Sequence, residues 1–183
     1  MTRILGIDPG TRACGWGVID WKDGANFAVH VASGVLRPPA SRPSAGESKD
    51  ACKLRLERSM LGRLCDVATD LASLAEQHKP ARVAIEGGYA VKGGGAKGAI
   101  QLGMARGVAI AAAAGRALPV ALYAPTAAKA YLAHGGATKA EMKAAVAARL
   151  HLPKLPPQDA ADALAIALLD GSCGGARDGR KNQ

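Results

Sequence analysis

The feature that most constrains this chain is the order in which its hydrophobic periods change. Three short apolar runs, "RILGID", "GWGVIDW" and "FAVHVASGVL", follow one another with brief connections, the second and third joined by the turn "KDGAN". Each reads as a strand, and short links between successive strands imply a meander. The stretch "RPPASRPSAGESKD" is a loop by its proline, serine and charge content, and beyond it the period lengthens. From about Lys53 to Lys79, the residues Met60, Leu61, Leu64, Val67, Ala68, Leu71, Leu74 and Ala75 recur at steps of three and four. That spacing predicts an amphipathic helix, which Pro80 ends. Strand and helix then alternate through "RVAIEG", the glycine-rich loop "GGYAVKGGGAKG", the small-residue helix "AIQLGMARGVAIAAAAGRA" and the strand "PVALYAP". Further helices are expected from about Thr126, Thr138 and Asp159. A meander followed by helix, strand, helix and strand predicts an α/β fold, a five-stranded mixed sheet with helices on both faces. Residues 1–171 are expected to form one domain, with the basic, glycine-rich residues 172–183 a disordered tail.

Composition narrows the function classes. There are only six aromatic residues, so the core must be built from small aliphatic side chains. The four cysteines (Cys14, Cys52, Cys65 and Cys173) are scattered with no C-x-x-C pair, which argues against a zinc site and against a disulfide framework. No basic-then-apolar leader opens the chain, and the longest apolar run, "VAIAAAAG", is too short to span a bilayer. A cytoplasmic protein with no membrane partner is expected. The net charge of +9 points to a polyanion. Its distribution says more than its size. Between Gly87 and Ala140 there is no acid at all, whereas Lys92, Lys97, Arg106, Arg116, Lys129 and Lys139 all fall there. Such an acid-free span suits nucleic acid.

Against this basic background four acids stand out. In α/β sheets, groups at the carboxyl ends of strands converge on one site. Asp8 closes the first strand ahead of Pro9-Gly10, and Glu86 closes the fourth. Asp8 has an alternative role in opening a turn. Glu86 ends a strand whose two faces should both be covered, where an unpaired carboxylate is costly without a cation. Asp159 and Asp162 lie three apart at the start of the last helix. Asp159 is placed to cap that helix, with Asp162 as the second half of a capping box, and the same spacing puts both carboxylates on one helix face. Carboxylates gathered at one rim repel each other unless divalent cations neutralise them. Oxygen-only donors suit Mg²⁺, with Mn²⁺ a substitute, and two such ions clamp the attacking and leaving oxygens of a phosphodiester. This chemistry makes a basic chain a nuclease.

The segments "ILGIDPGTRACGWGVI", "VAIEGGYAVKGGGAKGAIQLGMARGVAI" and "DAADALAIAL" resemble, in order and spacing, the successive motifs of the RuvC family, bacterial Holliday-junction resolvases with a ribonuclease H-like fold. The resemblance runs from about Arg3 to Leu169. It implies that Asp8, Glu86, Asp159 and Asp162 are the catalytic and metal-binding acids. It also implies a homodimer that nicks two opposed strands of a four-way junction symmetrically, in recombination and repair, with branch-migration proteins as candidate partners. Tyr89, three residues after the second acid, takes the place of the family's stacking aromatic. The family's basic residues match Lys129, Lys139 and Lys143, and Arg12 is a further candidate for a phosphate contact. Gly87 departs from the glutamine frequent in the family after the second acid.

Two other readings start from the same residues. A branched-DNA nuclease of relaxed specificity, diverged or virus-encoded, accommodates Gly87 and the loose "KGGGAKG" loop. A non-catalytic junction-binding module needs the basic span but not four acids in register. A phosphate loop of the actin-like kind needs two such domains, and the pattern G-x-x-x-x-G-K-[ST] fails because Gly98 follows Lys97.

Overall fold

The computed structural model describes residues 1–22, 24, 26–39, 45–88 and 95–174. Ten elements follow in the order β1 (Thr2–Asp8), β2 (Cys14–Lys22), β3 (Phe27–Leu36), α1 (Lys49–His78), β4 (Arg82–Glu86), α2 (Gly95–Ala114), β5 (Val120–Tyr123), α3 (Pro125–Leu132), α4 (Lys139–Arg149) and α5 (Gln158–Ser172). The sheet runs β3-β2-β1-β4-β5. The meander pairs antiparallel, whereas β4 and β5 add in parallel. This is the expected mixed sheet.

Alternation along the strands sorts the core into two layers. Ile4, Ile19, Trp21 and Ala84 pack against α3, α4 and α5. Leu5, Ile7, Val18, Val83 and Ile85 pack on the opposite face against α1 and α2. Ala105, Ala109 and Ala113, four apart, form the buried side of α2. The long helix begins at Lys49 rather than near Lys53, because Ser48 caps it by accepting from the Ala51 amide at 3.2 Å. It ends at a left-handed Lys79, one residue before Pro80.

Helix α5 is the hinge of the architecture. Ala160, Ala161 and every residue from Ala163 to Gly171 are buried, since the sheet lies under it and α3 and α4 lie over it. Close seating depends on glycines in the strands. A Cβ on Gly6 would stand 2.1 Å from the Ala163 carbonyl oxygen, and one on Gly15 would stand 1.9 Å from that of Asp159. The far end of α5 is fixed by Asp170, fully buried, whose carboxylate accepts from Arg82 Nε and from the Tyr123 hydroxyl at 2.9 Å. Gly6→Ala is expected to cost about 3 kcal/mol, the upper end of core overpacking, because the obstacle is helix backbone. A urea denaturation midpoint equal to that of the parent chain would show that α5 does not need this approach.

Candidate active site

Asp8 and Glu86 are the final residues of two parallel neighbours, β1 and β4, and Ile7 pairs with Ile85 just before them. Both acids therefore reach the same rim. Asp8 shares the parity of Ile4 and Gly6, and Glu86 that of Ala84, so both side chains turn to the α5 face. There α5 delivers its amino-terminal end, with Gly15, the pairing partner of Asp8, directly under the Asp159 backbone. Asp159 and Asp162 sit on one side of this helix.

One expectation is corrected here. Asp159 does not cap α5. Pro157 occupies the cap position with no side-chain cap bond, and the helix begins at Gln158. The proline ring pre-sets φ for entry one residue early, which moves Asp159 into the first turn. Its carboxylate instead stands 3.9 Å from the Arg37 guanidinium. Nor does Asp162 complete a capping box. Gln158, four residues before it, donates to both its oxygens at 3.0 and 3.1 Å.

The four acids feel one another. Burial, followed by the charges of Glu86, Asp162 and Asp159, pushes the Asp8 carboxyl up to about 8, against a partial offset from Lys139. Burial and then Asp162 raise Glu86, opposed by Arg106. Burial also raises Asp162, while the Gln158 hydrogen bonds and the charges of Lys139 and Lys129 pull the other way. Negative charge at this rim exceeds its compensation, and every donor is a carboxylate oxygen. That chemistry fits a hard divalent cation. Among the described residues no three His, Cys, Asp or Glu side chains are already gathered closely enough to hold a metal ion.

Beside the acids lies a cleft of about 180 Å³ lined by Glu86, Asp162, Gln158, Lys129, Lys139 and Met142, among others. Lys129 donates to the Ala137 carbonyl at 3.1 Å. Lys139 is held at the first position of α4 by a capping box in which Thr138 and Glu141 bond reciprocally. Lys143, one turn further along α4, does not line the cleft. Arg12 and Lys97 meet elsewhere, at a groove between α1 and α2. Tyr89 and Lys92 lie outside the described residues.

Sequence reasoning missed two residues that shape this rim. Gln158 carried a readable signal, the four-residue spacing of a helical Gln–Asp pair. Arg106 entered only as a basic residue of the acid-free span. From α2 it donates to the Glu86 carbonyl at 3.0 Å and to the Gly88 carbonyl at 2.7 Å, gripping the exit of β4 on both sides of Gly87. A bond to main chain leaves no trace in residue types. Gly87 itself packs tightly, since a Cβ there would stand 3.0 Å from that of Leu122.

A ribonuclease H-like sheet with carboxylates crowded at one rim beside a basic cleft belongs to the class of phosphodiester-cutting enzymes. This chain belongs to the RuvC family: the model of "Crossover junction endodeoxyribonuclease RuvC" matches residues 4–170. A relative of that name from Halorhodospira halophila is 42% identical over 169 residues, 92% of this chain and 89% of its own length. Among solved structures, Thermus thermophilus RuvC aligns with a TM-score of 0.74 and 28% identity, covering 94% of this chain and 95% of its own. The same protein in complex with Holliday junction substrate aligns with a TM-score of 0.74 and 30% identity, covering 92% of each chain. The chain is therefore an endodeoxyribonuclease of a metal-dependent family.

The raised Asp8 carboxyl has a consequence for metal-free stability. Between its ordinary value of 3.8 and about 8, the folded chain keeps a proton that the unfolded chain has lost. Stability conferred by this group is thus complete below pH 4 and is lost as pH rises through about 8. Asp8→Asn removes the titration. In EDTA it is expected to melt several degrees above the parent chain near pH 9 and close to it near pH 4. Equal melting temperatures near pH 9 would show that Asp8 is not confined with the other acids.

Proposed function

We propose that this chain resolves four-way DNA junctions, with residues 1–171 as one nuclease domain, acting as a cytoplasmic homodimer that nicks two symmetric strands. The observation that carries this reading is the meeting of Asp8, Glu86 and Asp162 beside Lys129 and Lys139 in a chain of the RuvC family. The complex of Thermus thermophilus RuvC with a Holliday junction supports the choice of substrate. Asp8, Glu86, Asp159 and Asp162 are assigned as the catalytic acids that hold two Mg²⁺ ions, with Mn²⁺ able to replace them. Bound there, such ions supply the positive charge that activates water and stabilises a departing 3′ oxygen.

The chain's own residues have distinct parts in this scheme. Gln158 and Lys139 favour the charged form of Asp162 and oppose the effect of its burial. Lys129 and Lys139 face the scissile phosphate from the cleft, and Lys143 meets the strand beyond it. Arg106 keeps Glu86 in place through the main chain. Tyr89 stacks at the opened junction centre. Leu54 and Leu61, both about half exposed and seven apart on α1, support a subunit interface. Two-fold symmetry then matches two active sites to two opposed strands. A relaxed branch nuclease is the second reading, favoured by Gly87, which has no side chain to read the bases beside the scissile bond.

The test is a mobile synthetic four-way junction beside linear, Y-form and flap DNA, each with Mg²⁺, Mn²⁺ or EDTA. Paired symmetric nicks on the junction alone, dependent on metal, are the expected result. Comparable cutting of forks and flaps would establish the relaxed nuclease instead. Glu86→Gln and Asp162→Asn are expected to reduce cleavage at least about 1,000-fold while junction affinity stays level or rises, because each removes negative charge near phosphates. Loss of binding by a folded variant would overturn the metal assignment. Tyr89→Ala is expected to slow cleavage at saturating enzyme by about tenfold or more, in line with about 1–3 kcal/mol per stacked base. Unchanged single-turnover rates would remove Tyr89 from the site.

A further inference from the structure

Each of the crowded acids has a counter-charge, and that of Asp159 comes from a different side. Against the effect of burial, Arg106 on α2 favours the charged form of Glu86. Lys139 on α4 and Lys129 on α3 do the same for Asp162, and Lys139 also faces Asp8. Asp159 instead meets Arg37, just past the end of β3. The sheet explains this placement. β2 is antiparallel to both β1 and β3, so β1 and β3 run the same way and finish at one rim. Leu36 pairs with Cys14, next to the Gly15 that lies under the Asp159 backbone, and Arg37 is the next residue out. In the order β3-β2-β1-β4-β5, the cleft lysines lie on the Glu86 side of the acids and Arg37 closes the β3 side.

The Arg37–Asp159 pair is too loose to fasten the fold. Its nitrogen and oxygen stand 3.9 Å apart, beyond hydrogen-bond reach. The guanidinium is 63% exposed and the carboxylate 34%. An exposed ion pair of this kind is worth about 0–1 kcal/mol. Asp170 shows the contrast, since its fully buried carboxylate is bonded by an Arg82 that is only 16% exposed. The main chain at Arg37 is nevertheless confined. Pro38 follows it, and a residue before proline is restricted to extended conformations. The backbone thus presents Arg37 at the rim while its side chain is free to change partners.

We propose that Arg37 is an exchange residue of the cutting rim. It answers the charge of Asp159 in the free protein and passes to a backbone phosphate of the junction once that charge is answered otherwise. The inference rests on the metal-dependent, junction-resolving reading above and gives a part to a residue which that reading leaves idle. Once Asp159 ligates a divalent cation, the carboxylate is satisfied and the guanidinium is repelled by like charge. A strand laid across the rim then offers the alternative acceptor, since arginine meets phosphate oxygens with two parallel N–H donors. Arg37 holds that strand from the β3 side while Lys129 and Lys139 face it from the cleft. An unpaired cation on this flank would grip DNA before the acids were loaded. Pairing with Asp159 withholds that grip until the site is complete.

The experiment is a double-mutant cycle on the full chain, read as affinity for a four-way junction in EDTA at about 100 mM salt. Asp159→Asn imitates a satisfied carboxylate without any metal. It is expected to tighten binding about fivefold in the parent chain but no more than about twofold beside Arg37→Gln. The loss caused by Arg37→Gln accordingly grows from about twofold in the parent to about fivefold beside Asp159→Asn. Arg37→Lys should preserve the coupling, since the charge is kept. The second readout is Mn²⁺ uptake by the free protein, followed by electron paramagnetic resonance. Arg37→Gln is expected to tighten that uptake about threefold, because no guanidinium has to leave Asp159. Additive effects in the cycle, or an unchanged Mn²⁺ affinity, would overturn the exchange and leave Arg37 an ordinary surface charge. Failure of the underlying reading looks different. A parent chain that takes up no Mn²⁺, or binds junction no more tightly than linear duplex of the same arm sequence, defeats that reading whatever Arg37 does.

Discussion

The close seating of α5 on the glycine-lined face of β1 and β2 is the contact on which the rest of the molecule depends. With no Cβ on Gly6 or Gly15, the helix backbone descends almost onto the strands. Two consequences follow from one approach. The core gains a helix buried along most of its length, and the carboxylates of its first two turns come down beside Asp8. A helix held at an ordinary distance would still bury its apolar residues, but its acids would stand away from the sheet rim.

The two ends of α5 carry opposite electrostatic arrangements. At the carboxyl end, Asp170 is buried and fully answered by Arg82 and Tyr123. Breaking such a pair by removing one partner costs about 3–5 kcal/mol, so this end fixes where the helix lies along its axis. At the amino end, Asp8, Glu86 and Asp162 are half-buried and under-compensated, and burial and mutual repulsion raise all three carboxyls. A fold designed for stability alone would not leave them so. The strongly paired end supports the weakly paired one, and Tyr123 links them, since it pairs level with Glu86 and reaches back to Asp170. Charge outside the acid rim is divided as well. Lys129 and Lys139 serve the α5 face, whereas Arg12, Lys53 and Lys97 lie on the α1–α2 face, so a surplus that looks continuous in the sequence is split by the sheet into two surfaces.

Much of this was legible without coordinates. Apolar runs bounded by turn residues located the five strands of the described residues, and steps of three and four located α1, because such patterns arise within each element. Short connections placed the first three strands side by side. Asp8 and Glu86 announced themselves as acids at strand ends, where side-chain direction is set by local alternation, while the parallel register that brings the two ends level is a pairing between distant residues. The start of α5 was misjudged, since Asp159 and Pro157 compete for one cap and the proline's fixed φ prevails. The buried Asp170 gave no signal, because its partners lie 47 and 88 residues away.

The sequence by itself determined the order of elements, the acids at the strand ends and the excess of positive charge, all of which are properties of short segments or of composition. Tertiary structure alone decided which face α5 covers, how closely it lies and which lysines join the acids. The physical reason is that periodicity tells which side of an element is apolar, but never what lies against it. That depends on backbone approach distances and on pairings between residues far apart in the chain, such as Gly15 beneath Asp159 and Arg106 on the carbonyls beside Gly87.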